Sequence, residues 1–269
     1  MSARTRLYGS SLFLLMLSYA LALSVMGQSK PQATGDAGKA ARADAAAPAA
    51  AAASGRGSIK LSFDADERGG PAKGVEPVIG DWRVDERSGV RGLLVDGSRW
   101  RNGVPSANLA DQARRLYGER YAEFLDGVKA FAFFPLIVVA QAPPTGDLRL
   151  SVRFFPFAGK IDQAAGIAFG IRPDGSYVCV RANALEDNIL WAKVVRGKRT
   201  ILDTIRNTPT PSKTWHTLVV TLRGKQIEVT LDGKQQFQKD LDAVPQGKVG
   251  LWSKADSQVL FDDFVVEAL

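Results

Sequence analysis

The chain has 269 residues, 45% of them hydrophobic, and carries 35 Lys and Arg against 28 Asp and Glu. One cysteine, Cys179, and one histidine, His216, exclude a disulfide-stapled scaffold and leave almost no room for a Cys/His zinc site. Any Ser-His-Asp or Cys-His chemistry would have to run through His216.

Arg4 and Arg6 lead into the apolar run Leu12–Leu17, which continues to Met26. A basic start, a short apolar core and small residues after it predict a secretory signal over residues 1–27. Ala20-Leu21-Ala22 and Val25-Met26-Gly27 both serve as cleavage sites, and the expected location is secreted or periplasmic. The alternative is an uncleaved anchor that tethers the chain to a membrane. Ser18, Tyr19 and Ser24 interrupt the run, which is short for a bilayer span. No Cys stands at the cleavage site, so a lipoprotein is excluded. Residues 28–57 are Ala-rich with no periodic apolar stripe, and a disordered linker is expected there. Loss of Arg4 and Arg6 lowers the charge from +7 to +5. The remaining basic residues are scattered among acids, which excludes nucleic acid as a partner.

Residues 58–269 contain short strand-like runs separated by turn dipeptides. Ile59–Phe63 and Leu148–Phe154 alternate apolar with polar. Asp174-Gly175 separates Ile167–Arg172 from Tyr177–Ala182, and Asp232-Gly233 separates Gln226–Leu231 from Lys234–Phe237, both hairpin signals. Arg196-Gly197-Lys198 joins Ile189–Val195 to Thr200–Ile205, and Arg223-Gly224-Lys225 follows Leu218–Leu222. Lys248–Ser253 and Val259–Val266 come last. About a dozen antiparallel strands must stack in two sheets to bury both inner faces. The expected fold is all-β, a two-sheet antiparallel jelly-roll sandwich.

One segment departs from this pattern. From Asn108 to Val128 the apolar residues recur at helical spacing, which predicts a helical insertion around 107–128. Ser106 or Asn108 caps its start, and Gly118 can divide it in two. The run from Phe131 to Val139 that follows is read as a strand buried on both faces.

Trp215-His216-Thr217-Leu218 followed by Leu231-Asp232-Gly233-Lys234 resembles a hairpin of laminin-G-like domains. Val249-Gly250-Leu251-Trp252 followed by Phe261-Asp262-Asp263-Phe264 resembles their ending. Together they place residues 58–269 in likeness to the concanavalin A-like lectin/glucanase superfamily, nearest to the 3-keto-disaccharide hydrolase domain family. The likeness is best from Gly146 onward. Its motifs are structural: a turn at Asp232-Gly233, a close backbone approach at Gly250, and Trp215 anchoring a strand against the opposite sheet. The E-x-D-x-x-E strand of the superfamily's glucanases is absent, so paired-carboxylate chemistry of that type is not expected.

The densest polar stretch runs from Arg181 to Asn188. Arg181 and Asn183 share one face by alternation, as do Trp191 and Lys193 on the next strand, and Trp252 and Lys254. Convergence of these pairs, with Asn188, would make a shallow groove of Trp platforms and polar donors suited to sugar. Glu186 and Asp187 are the acid–base candidates within it. His216 alternates with Leu218, Val220 and Leu222 and reads as a core histidine, and Cys179 as a reduced thiol. Asp64, Asp262 and Asp263 are candidates for a structural calcium. Alternation sends Asp262 and Asp263 to opposite faces, so one of them at most faces a shared ion. The expected function is glycan binding on a concave face, with carbohydrate or a glycoconjugate as partner. The alternatives are a glycoside-cleaving enzyme resembling 3-keto-disaccharide hydrolases, and a structural or protein-interaction domain with no sugar site.

Overall fold

The computed structural model describes residues 57–99, 109–128, 134–144 and 146–269. The expected signal or anchor (1–27), all of the linker except Gly57, the caps at Ser106 and Asn108, and Phe131 and Phe133 lie outside the described residues. Among the described residues the early elements are β1 (Ser58–Leu61), β2 (Val75–Ile79), β3 (Trp82–Arg87) and β4 (Val90–Asp96). Next come α1 (Leu109–Tyr117), α2 (Tyr121–Val128), β5 (Leu136–Val139), β6 (Leu148–Ala158), β7 (Ala164–Ile171) and β8 (Tyr177–Asn183). The chain continues with β9 (Asn188–Val195), β10 (Lys198–Arg206), β11 (His216–Arg223) and β12 (Gln226–Leu231). It closes with β13 (Lys234–Asp240), β14 (Lys248–Ser253) and β15 (Gln258–Ala268).

These strands form two antiparallel sheets. The first runs β13-β12-β11-β6-β15-β4-β3, with β1 also on β15, and the second runs β10-β9-β8-β7-β14-β5-β2. The inner faces meet in one core that includes Phe154, Leu218, Val220 and Phe261 from the first sheet and Ile167, Val180, Ile189 and Leu251 from the second. This is the expected jelly-roll sandwich. Hairpins with Asp or Gly in the left-handed region build much of it: Asp232 has φ 50° and Gly233 φ 76°, the twist-matched turn between β12 and β13.

The last two strands join the sheets' halves. β14 pairs with β7 on one side and β5 on the other. β15 pairs with β6 on one side, and on the other with β4 along Gln258–Phe261 and β1 along Phe264–Glu267. Gly250 in β14 is needed there, because a Cβ would overlap the Ile137 carbonyl.

The helical segment splits at Gly118 (φ 54°), where one 3₁₀ turn joins α1 to α2. Both helices lie on the outer face of the second sheet. Ala113, Leu116 and Phe124 pack there against Leu136, Val138, Ala168 and Trp252. The Tyr117 hydroxyl donates to the Ile171 carbonyl at 3.1 Å, and Arg115 grips Glu76 with two hydrogen bonds of 2.7 and 2.8 Å. β5 is buried along its whole length between β2 and β14, as the apolar run predicts.

Three features depart from the sequence reading. The strands β2, β3 and β4 have no counterpart among the runs read from the sequence. β2 holds Pro77, which its edge position tolerates, and β3 is a charged edge. Trp215 does not reach the opposite sheet. It packs on the outer face of its own sheet, 5.4 Å from Phe155, with the Arg153 guanidinium 4.6 Å from its ring centre. Asp262 and Asp263 are not separated by alternation. Asp263 has φ 49° in a bulge of β15, and Arg153 Nη1 reaches both, at 3.5 Å from Asp262 and 3.0 Å from Asp263.

Candidate functional site

Residues paired across neighbouring strands share a face of the sheet. Asn183 pairs with Asn188 and Arg181 with Leu190. Gly166 lies opposite Arg181, and Trp252 opposite Gly166. Arg181, Asn183, Asn188 and Trp252 therefore share the outer face of the second sheet. A Cβ at Gly166 would sit 2.5 Å from the Val180 carbonyl and 2.9 Å from Arg181 Cβ, so the glycine gives Arg181 its room.

Trp191 and Lys193 pair with Val180 and Val178, which puts them on the opposite face. The expected groove is thus divided between two faces. Neither indole is an open platform. Trp252 is fully buried, stacked 5.4 Å from Phe134, and its N–H donates to Tyr177 Oη at 3.3 Å. Trp191 is 6% exposed and packs 5.8 Å from Phe237. With Lys193, Val178, Leu241 and Val244 it lines a separate cleft of about 390 Å³. At its rim Lys193 pairs with Asp242 at 3.2 Å.

The outer face holds a continuous polar network. Arg181, 2% exposed, donates to Asn188 Oδ1 and, at 2.5 Å, to Glu186 Oε2. Asn188 Nδ2 donates to the same Glu186 oxygen at 3.0 Å. Lys254 Nζ lies 4.0 Å from Glu186 Oε1 and 2.9 Å from Asp162 Oδ2. Asn183 Nδ2 donates to Asp162 Oδ1 at 2.8 Å. Glu186 and Lys254 reach solvent, with side chains 37% and 16% exposed, while Asp162 is sealed.

Burial pushes the Asp162 carboxyl up, and this outweighs the pull of Lys254. Burial also pushes Glu186 up, but the Arg181 charge, hydrogen bonds from Asn188 and Arg181, and Lys254 together hold it below the ordinary carboxylate value. Glu186 is thereby an ionised acceptor. Asp187 stands apart from the network. It has φ 46°, its carbonyl accepts the Thr208 N–H at 2.9 Å and its Oδ1 the Thr210 N–H at 3.3 Å, so it ties down the following loop.

Two members of this face were missed by sequence reasoning. Asp162 has no signal of its own. Asp256 places it by accepting the backbone N–H groups of Lys160, Ile161 and Asp162 at 2.7, 3.0 and 3.0 Å. Arg199 was legible: it pairs with Val194 just past the Arg196-Gly197 turn, and Val194 pairs with Tyr177. It therefore joins Tyr177, Cys179 and Arg181 on the outer face, with its guanidinium 4.8 Å from the Phe134 ring centre.

The remaining candidates lie outside this network. His216 is buried, with Nδ1 2.7 Å from Asp232 Oδ2 and Nε2 2.9 Å from the Pro211 carbonyl. Burial lowers its pKa, but these two acceptors raise it more, so the net shift is upward. Cys179 is fully buried, and burial pushes its thiol up to about 12. Arg153 Nη1 pairs with both Asp262 and Asp263, and the Asp64 carbonyl accepts from Arg91 at 3.0 Å. Among the described residues no group of three or more acidic, His or Cys side chains is arranged to hold a metal ion.

No family model matches the chain, and no curated protein matches it in sequence. Solved structures do match its shape. The carbohydrate-binding module CBM66 from Bacillus subtilis superposes with a TM-score of 0.51 at 16% identity, over 72% of this chain and 96% of that one. A Bacillus subtilis protein of unknown function with a galectin-like fold gives 0.47 at 12% identity, over 72% and 87% of the two chains. A β-glucanase from Bacillus licheniformis gives 0.46 at 14% identity, over 78% and 97%. Two stacked antiparallel sheets in this strand order, matched over nearly the whole of CBM66, give the chain the concanavalin A-like jelly-roll fold.

Proposed function

We propose that this domain binds glycan on the outer face of its second sheet. The observation that carries the reading is the network Asp162–Lys254–Glu186–Arg181–Asn188, ordered from the buried end and open to solvent at Glu186 and Lys254. Sugar hydroxyls donate and accept. A fixed carboxylate acceptor beside ammonium and amide donors suits them, and prior ordering reduces the entropy lost on binding. The fold shared with a carbohydrate-binding module supports the same reading. Binding is favoured over glycoside cleavage because neither carboxylate is poised for acid–base work. Glu186 is held ionised by its partners and Asp162 is sealed from substrate. Segment 1–27 supports action outside the cytoplasm as part of this proposal.

The test is calorimetry and thermal shift across a panel of oligosaccharides. At least one class is expected to bind, and Glu186→Gln is expected to weaken it about tenfold, the loss of one charge-assisted hydrogen bond. Absence of binding across the panel, or unchanged affinity in Glu186→Gln with the fold intact, overturns the proposal.

A further inference from the structure

The cations of this face are not treated alike. Arg181 has Glu186 at 2.5 Å, and Lys254 has Asp162 at 2.9 Å. Arg199 has no carboxylate among the described residues. Its guanidinium rests on the Phe134 ring, half-buried, and Nη1 is sealed from solvent with no acceptor. Arg181 Nε is likewise sealed and unpartnered. Arg199 thus lacks the counter-charge that Arg181 and Lys254 have, and its charge and that of Arg181 repel one another. Both act on one floor, because the Cys179 thiol feels the charge of each and Arg181 feels that of Arg199. The face is thus short of one negative charge, beside a network suited to hydroxyls.

We infer that the glycan taken by this face is acidic, with a carboxylate or sulfate on the sugar seated against Arg199. This rests on the glycan-binding reading above and narrows it to a substrate class. A half-exposed guanidinium with no carboxylate partner can pair through its open edge with such an anion, whose negative charge a neutral sugar cannot supply. The Phe134 ring, with its centre 4.8 Å from the guanidinium, limits the freedom of that group before the ligand arrives.

The experiment compares three ligands of similar length: a neutral oligosaccharide, a uronic-acid oligosaccharide and a sulfated one. Affinities are measured by calorimetry for the wild-type chain, Arg199→Gln and Arg199→Lys, at about 0.05 and about 0.5 M salt. The wild type is expected to favour at least one acidic ligand over the neutral one by about tenfold or more at low salt, and to lose much of that preference at high salt. Arg199→Gln removes the preference, and Arg199→Lys keeps part of it. Which acidic ligand is favoured distinguishes carboxylate from sulfate. Equal affinity for neutral and acidic ligands overturns this inference but leaves glycan binding standing. Binding of none of the three overturns both. A preference that survives in Arg199→Gln also overturns the role given to Arg199. Should Arg199→Gln fail to fold, the salt dependence of the wild type and the behaviour of Arg199→Lys decide the matter.

Discussion

The carboxyl group of Asp262 is pushed up to about 6, by burial first and by its neighbour Asp263 second, against the pull of the Asp263 N–H and Arg153. Its ordinary value is 3.8. Between roughly pH 4 and pH 6 the folded chain keeps a proton that the unfolded chain has released, so stability falls as the pH rises through that window. Asp262→Asn is expected to flatten this slope and to raise stability near neutrality by about 1–3 kcal/mol. Melting temperature measured against pH checks this, and a variant that keeps the wild-type slope disproves it. The same residue marks the limit of single-residue reading. Alternation assigns Asp262 and Asp263 to opposite faces, and it fails because Asp263 adopts a left-handed backbone in a bulge. Arg181, Asn183 and Asn188 were legible as a group because a hairpin links them. Asp162 was not, since its place depends on Asp256, far along the chain.

At the scale of elements, turn chemistry was the clearest signal. Asp174-Gly175, Arg196-Gly197 and Asp232-Gly233 located three hairpins, and the helical spacing located α1 and α2 with their break at Gly118. What turns cannot tell is which strand lies beside which when many residues separate them. Trp191 and Trp252 were read as partners in one groove, yet the register of β8 with β9 sends Trp191 inward while Trp252 lies under Phe134. Likewise, nothing local distinguishes a Trp under a helical cover from an exposed one. The close approach at Gly250 was legible, and it has a testable cost. Gly250→Ala places a methyl group into the Ile137 carbonyl, which is backbone and cannot swing aside. A loss of about 3 kcal/mol or more is expected, read from denaturant unfolding. A loss under about 1 kcal/mol would show that β5 and β14 can separate without penalty.

At the scale of the whole molecule, Cys179 is a built-in reporter. It lies on β8 in the interior of the second sheet, fully buried, with its thiol pushed up to about 12. A thiol reagent can reach it only after the packing over that face opens. The opening free energy from the rate of labelling is expected to equal the unfolding free energy from denaturant titration. A markedly smaller value would mean that the helices detach and expose the face on their own. Equality is expected because β14 and β15 hold both halves of both sheets, leaving no half that is complete without them.

That junction also governs the order of events in biosynthesis. As the chain leaves the ribosome it can form its local hairpins, β3–β4, β7 through β10 and β11 through β13, in turn. Neither sheet can close until β14 and β15 emerge, after residue 248 and on to residue 268. The nascent protein therefore stays a string of unfinished hairpins through most of its synthesis, slow to fold and in need of protection. For the same reason it stays open to any machinery that handles chains before they fold.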